Sequence, residues 1–279
     1  MKLRALFAAA LIGGGLLSLP TTAAHAGTIT VKGSDTMVIL GQRWAEEYMK
    51  KNPSTVLQVT GGGSGTGISA LINGTTDICA SSRSMKSAEK EKLRDRYNNT
   101  GVEIPVARDG LAVYVHASSP LTEISIPDLK GIFTGKITNW KQLGGPDANI
   151  IVYSRENSSG TYVFFKESVL GGADFTPRAQ TMPGTAAVVN AVSKEKFGIG
   201  YGGAAYAKGI KILKVKKDAS SPAINPDKGT VLNGTYPLAR PLFFYLRAKQ
   251  TGEIKSFIDW VLSADGQAIV EKVGYYPVK

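Results

Sequence analysis

The sequence predicts an α/β protein with largely parallel sheets, and three observations carry that prediction. Short β-rich runs alternate with helical patterns, the order β–α–β recurs from residue 28 onward, and the composition suits a packed globular chain. Of the 279 residues, 43% are hydrophobic and 20% charged, which excludes a disordered or fibrous chain and allows one large domain or two modest ones. Lysine and arginine outnumber aspartate and glutamate by 33 to 22, a net charge of +11, so anionic partners come first. A single cysteine, Cys79, and only two histidines, His25 and His116, argue against a zinc ribbon, a His-rich metal site or a disulfide scaffold.

The first segment stands outside the predicted fold. Lys2 and Arg4 precede an apolar run over residues 5–19, and residues 20–26 end in Ala24-His25-Ala26. This is the layout of a secretory signal peptide, residues 1–26, cut after Ala26. The run falls short of the roughly 20 apolar residues that span a bilayer. The remainder is expected to be exported and soluble, with no internal disulfide.

Beyond it each element has a local reason. Residues 28–32 read as a strand, and residues 37–51 place Ile39, Trp44, Tyr48 and Met49 near helical spacing until Asn52-Pro53 stops the helix. Residues 56–60 form a strand, 67–73 a short helix and 77–80 another strand. Residues 84–97 are charged and helical, with an exposed face. Residues 102–106 and 111–116 read as two strands and 150–154 as a third. Helical patterns follow at 162–170 and 186–194, then strands at 198–201 and 240–246. Residues 253–271 read as one long amphipathic helix containing Phe257, Trp260, Val261 and Ile269. No long linker or low-complexity tract interrupts this order, and no internal repeat appears. The length suits two lobes, with chain crossings near Asp109 and again over residues 236–240.

Four junctions share one pattern: a strand runs into a polar, glycine- or serine-rich turn that opens the next helical segment. The turns are Gly33-Ser34-Asp35-Thr36, Gly61-Gly62-Gly63-Ser64-Gly65-Thr66-Gly67, Ser81-Ser82-Arg83 and Arg155-Glu156-Asn157-Ser158-Ser159-Gly160-Thr161. Carboxyl ends of strands in open α/β sheets are where ligands bind. Free amides and the positive end of the helix dipole face outward there, glycine lets the main chain come close, and serine and threonine add hydroxyl donors. Each turn alone is also an ordinary N-cap; four together, two with an arginine, make an anion cradle.

Enzyme templates fit less well. Gly62 and Gly67 have the Walker spacing, but Ile68 stands where lysine is needed. Gly65-Thr66-Gly67-Ile68-Ser69-Ala70 matches a loose dinucleotide pattern, yet Ser81-Ser82-Arg83 replaces the acid that pattern requires. Ser87-Ala88-Glu89-Lys90 sits in a charged helix without partner motifs, and no G-x-S-x-G elbow occurs. His116 lies in an apolar strand as a packed residue, and Trp44, Trp140 and Trp260 read as core. The densest basic cluster, Lys211, Lys214, Lys216 and Lys217, has no interleaved aromatics, so nucleic acid is not expected as a partner. No catalytic residue, metal ligand or cofactor is assigned.

With these turns in hand, residues 27–279 resemble the phosphate-binding proteins of bacterial phosphate ABC importers. The first, second and fourth turns carry the resemblance, with support from Ile132-Phe133-Thr134-Gly135-Lys136-Ile137-Thr138-Asn139-Trp140. It implies a two-lobed periplasmic binding protein fold of type II, each lobe a mixed, mostly parallel sheet flanked by helices. Lobe I would be residues 27–109 with 240–279 returning to it, and lobe II residues 110–239. The implied protein is a periplasmic monomer that is not an enzyme, binds inorganic phosphate between its lobes and delivers it to a membrane permease. Carried over, Thr36 and Ser64 bind from the first lobe, and Arg155, Ser159, Gly160 and Thr161 from the second. In the full expected set Ser34, Thr36, Ser64, Ser82, Ser158, Ser159 and Thr161 give hydroxyls, Gly65 and Gly160 give amides, and Arg83 and Arg155 give charge. Where many members carry an aspartate this chain has Ser82, so the acceptor for the ligand's proton comes from Asp35 or from a serine hydroxyl. The alternatives are another oxyanion, such as sulfate or molybdate, or a secreted hydrolase using Ser64 or Ser159 as nucleophile without a nearby base.

Overall fold

The computed structural model describes residues 27–278; the expected signal peptide lies outside the described residues. The chain opens with β1 (Gly27–Gly33), which buries Ile29 and Val31 in alternation. A 3-10 turn at Asp35–Met37 leads into α1 (Val38–Lys51), whose helical spacing buries Leu40, Trp44 and Tyr48. The unit repeats through β2 (Thr55–Thr60), α2 (Ser64–Asn73), β3 (Ile78–Ser81) and α3 (Ser87–Tyr97). Residues 102–106 and 111–116, expected as two strands, form one, β4 (Val102–His116). There follow β5 (Glu123–Ser125), α4 (Ile126–Phe133), β6 (Ile151–Arg155), α5 (Gly160–Ser168), β7 (Gln180–Met182), α6 (Thr185–Lys194), β8 (Gly198–Gly203), β9 (Ile210–Lys216) and α7 (Lys228–Leu232). The chain closes with β10 (Ala239–Leu246), α8 (Gly252–Val261) and α9 (Ala264–Val273). The single long helix expected at the end is therefore two, because the Ser263 hydroxyl accepts the Gly266 amide and caps a new start.

Parallel and antiparallel pairings mix. β1 lies between β2 and β3, parallel to both, and β6 lies between β7 and β8, again parallel. The long strands are the antiparallel members: β10 pairs with β3 and β4, and β4 pairs further along with β8 and β9. The expected basic cluster falls largely on β9, where Lys214 and Lys216 alternate with the buried Leu213 and Val215, while Lys211 shares their face and donates to the Ser119 carbonyl.

Period-two alternation sorts the core. On β10, Leu242, Phe244 and Leu246 face the cluster beneath α1, α8 and α9, while Phe243 and Tyr245 join Ile68, Leu71 and Leu93 on the opposite face. On the last part of β4, Leu111, Val113 and Val115 pack with Phe133 and Phe165, while Ala112 and Tyr114 meet Val188 and Val192 of α6. The main clusters change over between Ala107 and Leu111 on β4 and between Leu238 and Leu242 at the start of β10. The two cores thus form two lobes, and β4 and β10 are the paired strands that cross between them. Trp44 and Trp140 are buried as expected and Trp260 is half-buried; His116 ends β4 half-buried, its Nδ1 2.8 Å from the Ser118 hydroxyl. Among the described residues no helix is long and apolar enough to cross a membrane.

Candidate anion-binding site

The four turns meet. The Thr36 and Thr161 hydroxyl oxygens, one after β1 and one in the first turn of α5, are 2.8 Å apart. Ser64, the first residue of α2, accepts the Ser82 amide on its hydroxyl at 3.1 Å and stands 3.4 Å from the Ser82 hydroxyl. Gly160 closes over that serine pair so tightly that an added Cβ would lie 2.3 Å from Ser64 Oγ and 2.8 Å from Ser82 Oγ. Thr36, Ser64, Ser82, Ser159 and Thr161 are all buried.

Helix geometry explains the donor-rich character. α2 and α5 both begin at the cluster, and first-turn amides have no intrahelical acceptor. The Ser159 hydroxyl caps α5 by accepting the Tyr162 amide at 3.3 Å, which leaves its own proton free to be donated. Two further donors, Ser34 Oγ and Arg155 Nε, are buried without a hydrogen-bond partner. Such groups are costly to bury unpaired.

The loops also bind one another. The Gly65 amide donates to the Ser158 carbonyl at 2.8 Å, so that expected ligand amide is engaged between the lobes. Arg155 donates from Nη2 to the Asp35 carboxylate at 2.6 Å and from Nη1 to the Thr185 hydroxyl at 2.9 Å. The other Asp35 oxygen accepts the Gly62 amide at 2.8 Å. Tyr206 donates its hydroxyl to the Asp35 carbonyl at 2.6 Å, and burial pushes that phenol up to about 12, so it remains a donor at neutral pH.

Arg83 is placed differently from the other expected residues. Its guanidinium forks onto Glu89 of α3 at 2.7 and 2.8 Å and donates to the Ser84 carbonyl at 2.9 Å. Burial alone would raise the Glu89 carboxyl, but the Arg83 hydrogen bonds and charge, helped by the Lys86 amide, hold it below its ordinary value. The arginine that reaches the threonines is Arg240, the second residue of β10, which donates from Nη2 to Thr161 Oγ1 at 3.1 Å and lies 3.5 Å from Thr36 Oγ1. It pairs with Asp109, and both side chains are 1% exposed. Burial pushes the Asp109 carboxyl above its ordinary value, against the pull of Arg240. Sequence reasoning missed this pair as site residues; the only signal was that Asp109 and Arg240 mark the two expected chain crossings.

Ser64 and Ser159, the hydroxyls a hydrolase would use, have no histidine, carboxylate or lysine as hydrogen-bond partner among the described residues. The hydroxyls and helix-opening amides gathered here can hold an anion.

Comparison with known proteins gives consistent matches. Residues 19–265 match the model of the PBP superfamily domain. The chain is 34% identical over 269 residues to the phosphate-binding protein PstS of Pseudomonas aeruginosa, covering 90% of this chain and 83% of that one. It is 34% identical over 253 residues to PstS of Bacillus subtilis, covering 90% and 81%. A crystal structure of a putative phosphate ABC transporter substrate-binding protein with bound phosphate from Clostridium perfringens superposes with a TM-score of 0.82 at 32% identity, covering 91% of this chain and all of that one.

Proposed function

Because the chain belongs to the PBP superfamily and to its PstS phosphate-binding proteins, we propose that it captures inorganic phosphate between its lobes and hands it to the permease of an ABC importer. The supporting observation is the meeting of Thr36, Ser64, Ser82, Gly160 and Thr161, drawn from both lobes, with Arg155 tied to the first turn through Asp35. Hydroxyls of Ser34, Thr36, Ser64, Ser82, Ser158, Ser159 and Thr161 and the amides that open α5 surround the phosphate oxygens, and Arg155 supplies charge. Arg83, held by Glu89, supports the turn that carries Ser82.

In this reading residues 27–109 with 240–279 form one moving body and 110–239 the other, joined by β4 and β10. Ligand bridges both bodies only when they are shut, so its binding energy favours the shut form. A permease then distinguishes shut from open. Export through the signal peptide places the protein in the periplasm, where it acts as a monomer without covalent chemistry.

Isothermal calorimetry with phosphate, sulfate and molybdate at several pH values tests the reading. Saturable phosphate binding with weaker binding of the other two supports it; equal or stronger binding of sulfate or molybdate replaces phosphate as the cargo. Phosphoester turnover that vanishes in Ser159→Ala would establish the hydrolase instead.

A further inference from the structure

Arg240 is the cross-strand partner of Asp109, so their ion pair spans the two strands that connect the lobes. Each of its three nitrogens donates. Nε and Nη2 both donate to Asp109 Oδ2, at 3.0 and 2.8 Å, and Nη1 donates to the Ser82 carbonyl at 3.2 Å. The remaining reach of Nη2 is toward Thr161 Oγ1 and Thr36 Oγ1. The Phe164 ring lies 5.2 Å from the guanidinium carbon and fixes its plane from one side.

A guanidinium has donors only. The two threonine oxygens must therefore turn lone pairs toward Arg240, and one of their hydroxyls donates to the other across 2.8 Å. At least one O–H is then free to point outward, and an arriving anion can draw both. Thr36 belongs to the lobe of β1 and Thr161 to the lobe of α5, so Arg240 touches a ligand hydroxyl on each side of the closure.

We propose that Arg240, fixed by Asp109, is a positioning residue for anion capture: it holds Thr36 and Thr161 as hydrogen-bond donors and ties their meeting to the crossing strands. The inference rests on the anion-binding reading above. The fork matters as well as the charge, because one ammonium cannot serve Asp109, the Ser82 carbonyl and both threonines in fixed directions.

The test is phosphate calorimetry on the full chain, with thermal unfolding of each variant. Arg240→Lys keeps the charge and loses the fork. The double change Asp109→Asn with Arg240→Gln removes the pair without leaving a buried charge unpaired. Each is measured alone and with Thr161→Val. Both are expected to bind phosphate about 10- to 100-fold more weakly. The loss caused by Thr161→Val should shrink in either background, because the arginine acts through that hydroxyl. A merely structural arginine would leave the Thr161→Val loss unchanged, and that additivity, or wild-type affinity in Arg240→Lys, overturns the proposal. If the double variant fails to unfold cooperatively, Arg240→Lys decides. Failure of the unaltered protein to bind phosphate is a separate result, which overturns the parent reading and this inference with it.

Discussion

Asp35 and Arg155, 120 residues apart in the chain, meet at 2.6 Å across the two lobes. The arginine side chain is 1% exposed and the aspartate 16%, so the pair is largely withdrawn from water, where a charge-assisted bond keeps more of its strength. It contributes only when the lobes are together. The same guanidinium thus joins the lobes and, in the proposed reading, also serves the ligand.

Removing that guanidinium should weaken phosphate binding most. Arg155→Ala is expected to cost about 2–5 kcal/mol, as for truncation of a buried charge partner. Calorimetric affinity equal to wild type would take Arg155 out of the site.

Asp35→Asn has a different expected signature. Both carboxylate oxygens are engaged, by Gly62 and Arg155, so the change should lower affinity by about 1–3 kcal/mol for phosphate and sulfate alike. A loss confined to phosphate would instead identify Asp35 as the acceptor of the ligand's proton.

Gly160→Ala should block closure while sparing the lobes themselves. The new methyl would meet the Ser64 and Ser82 hydroxyls, both on the other lobe, and overpacking of this kind costs about 1–3 kcal/mol. Weaker phosphate binding with an unaltered ligand-free melting temperature is the expected pair of results. Gly63→Ala tests the same approach from the other lobe, at φ 92° and with an added Cβ only 2.5 Å from the Ser158 carbonyl.

The Arg83–Glu89 pair should show itself in stability rather than in affinity. Glu89 is held below its ordinary value in the folded protein, so its contribution is complete above the unfolded pKa of about 4.3 and is lost as pH falls through the lower folded value. Thermal unfolding from about pH 6 down to pH 3 should fall less steeply in Glu89→Gln than in wild type. Arg83→Ala should destabilise by about 1–3 kcal/mol and change phosphate affinity far less than Arg155→Ala. Equal losses of affinity in the two arginine variants would restore Arg83 as a ligand.

The turns were legible because their chemistry is local. Ser64, Gly160 and Thr161 sit where a strand hands over to a helix, and the amides and hydroxyls that make such a place receptive to anions follow from a few consecutive residues. The central break in residues 253–271 was hidden because the apolar spacing continues through Ser263, while a single hydroxyl cap ends one helix and starts the next. β9 looked like a basic cluster because the lysines outweighed Leu213 and Val215 in the reading.

By itself, the sequence determined the alternation of strands and helices apart from β5, β7, β9 and α7, the four polar turns and the resemblance they carry, since each depends on short-range spacing and backbone preference. Only the tertiary structure decided which charges serve which partners. Arg83 went to Glu89, six residues further along the chain in the first turn of α3, whereas Arg240 reached Asp109, Thr161 and Thr36 across separations of 131, 79 and 204 residues. A guanidinium can satisfy any carboxylate or hydroxyl within reach, so its choice is made by packing and burial, and those exist only after β4 and β10 have brought the two lobes together.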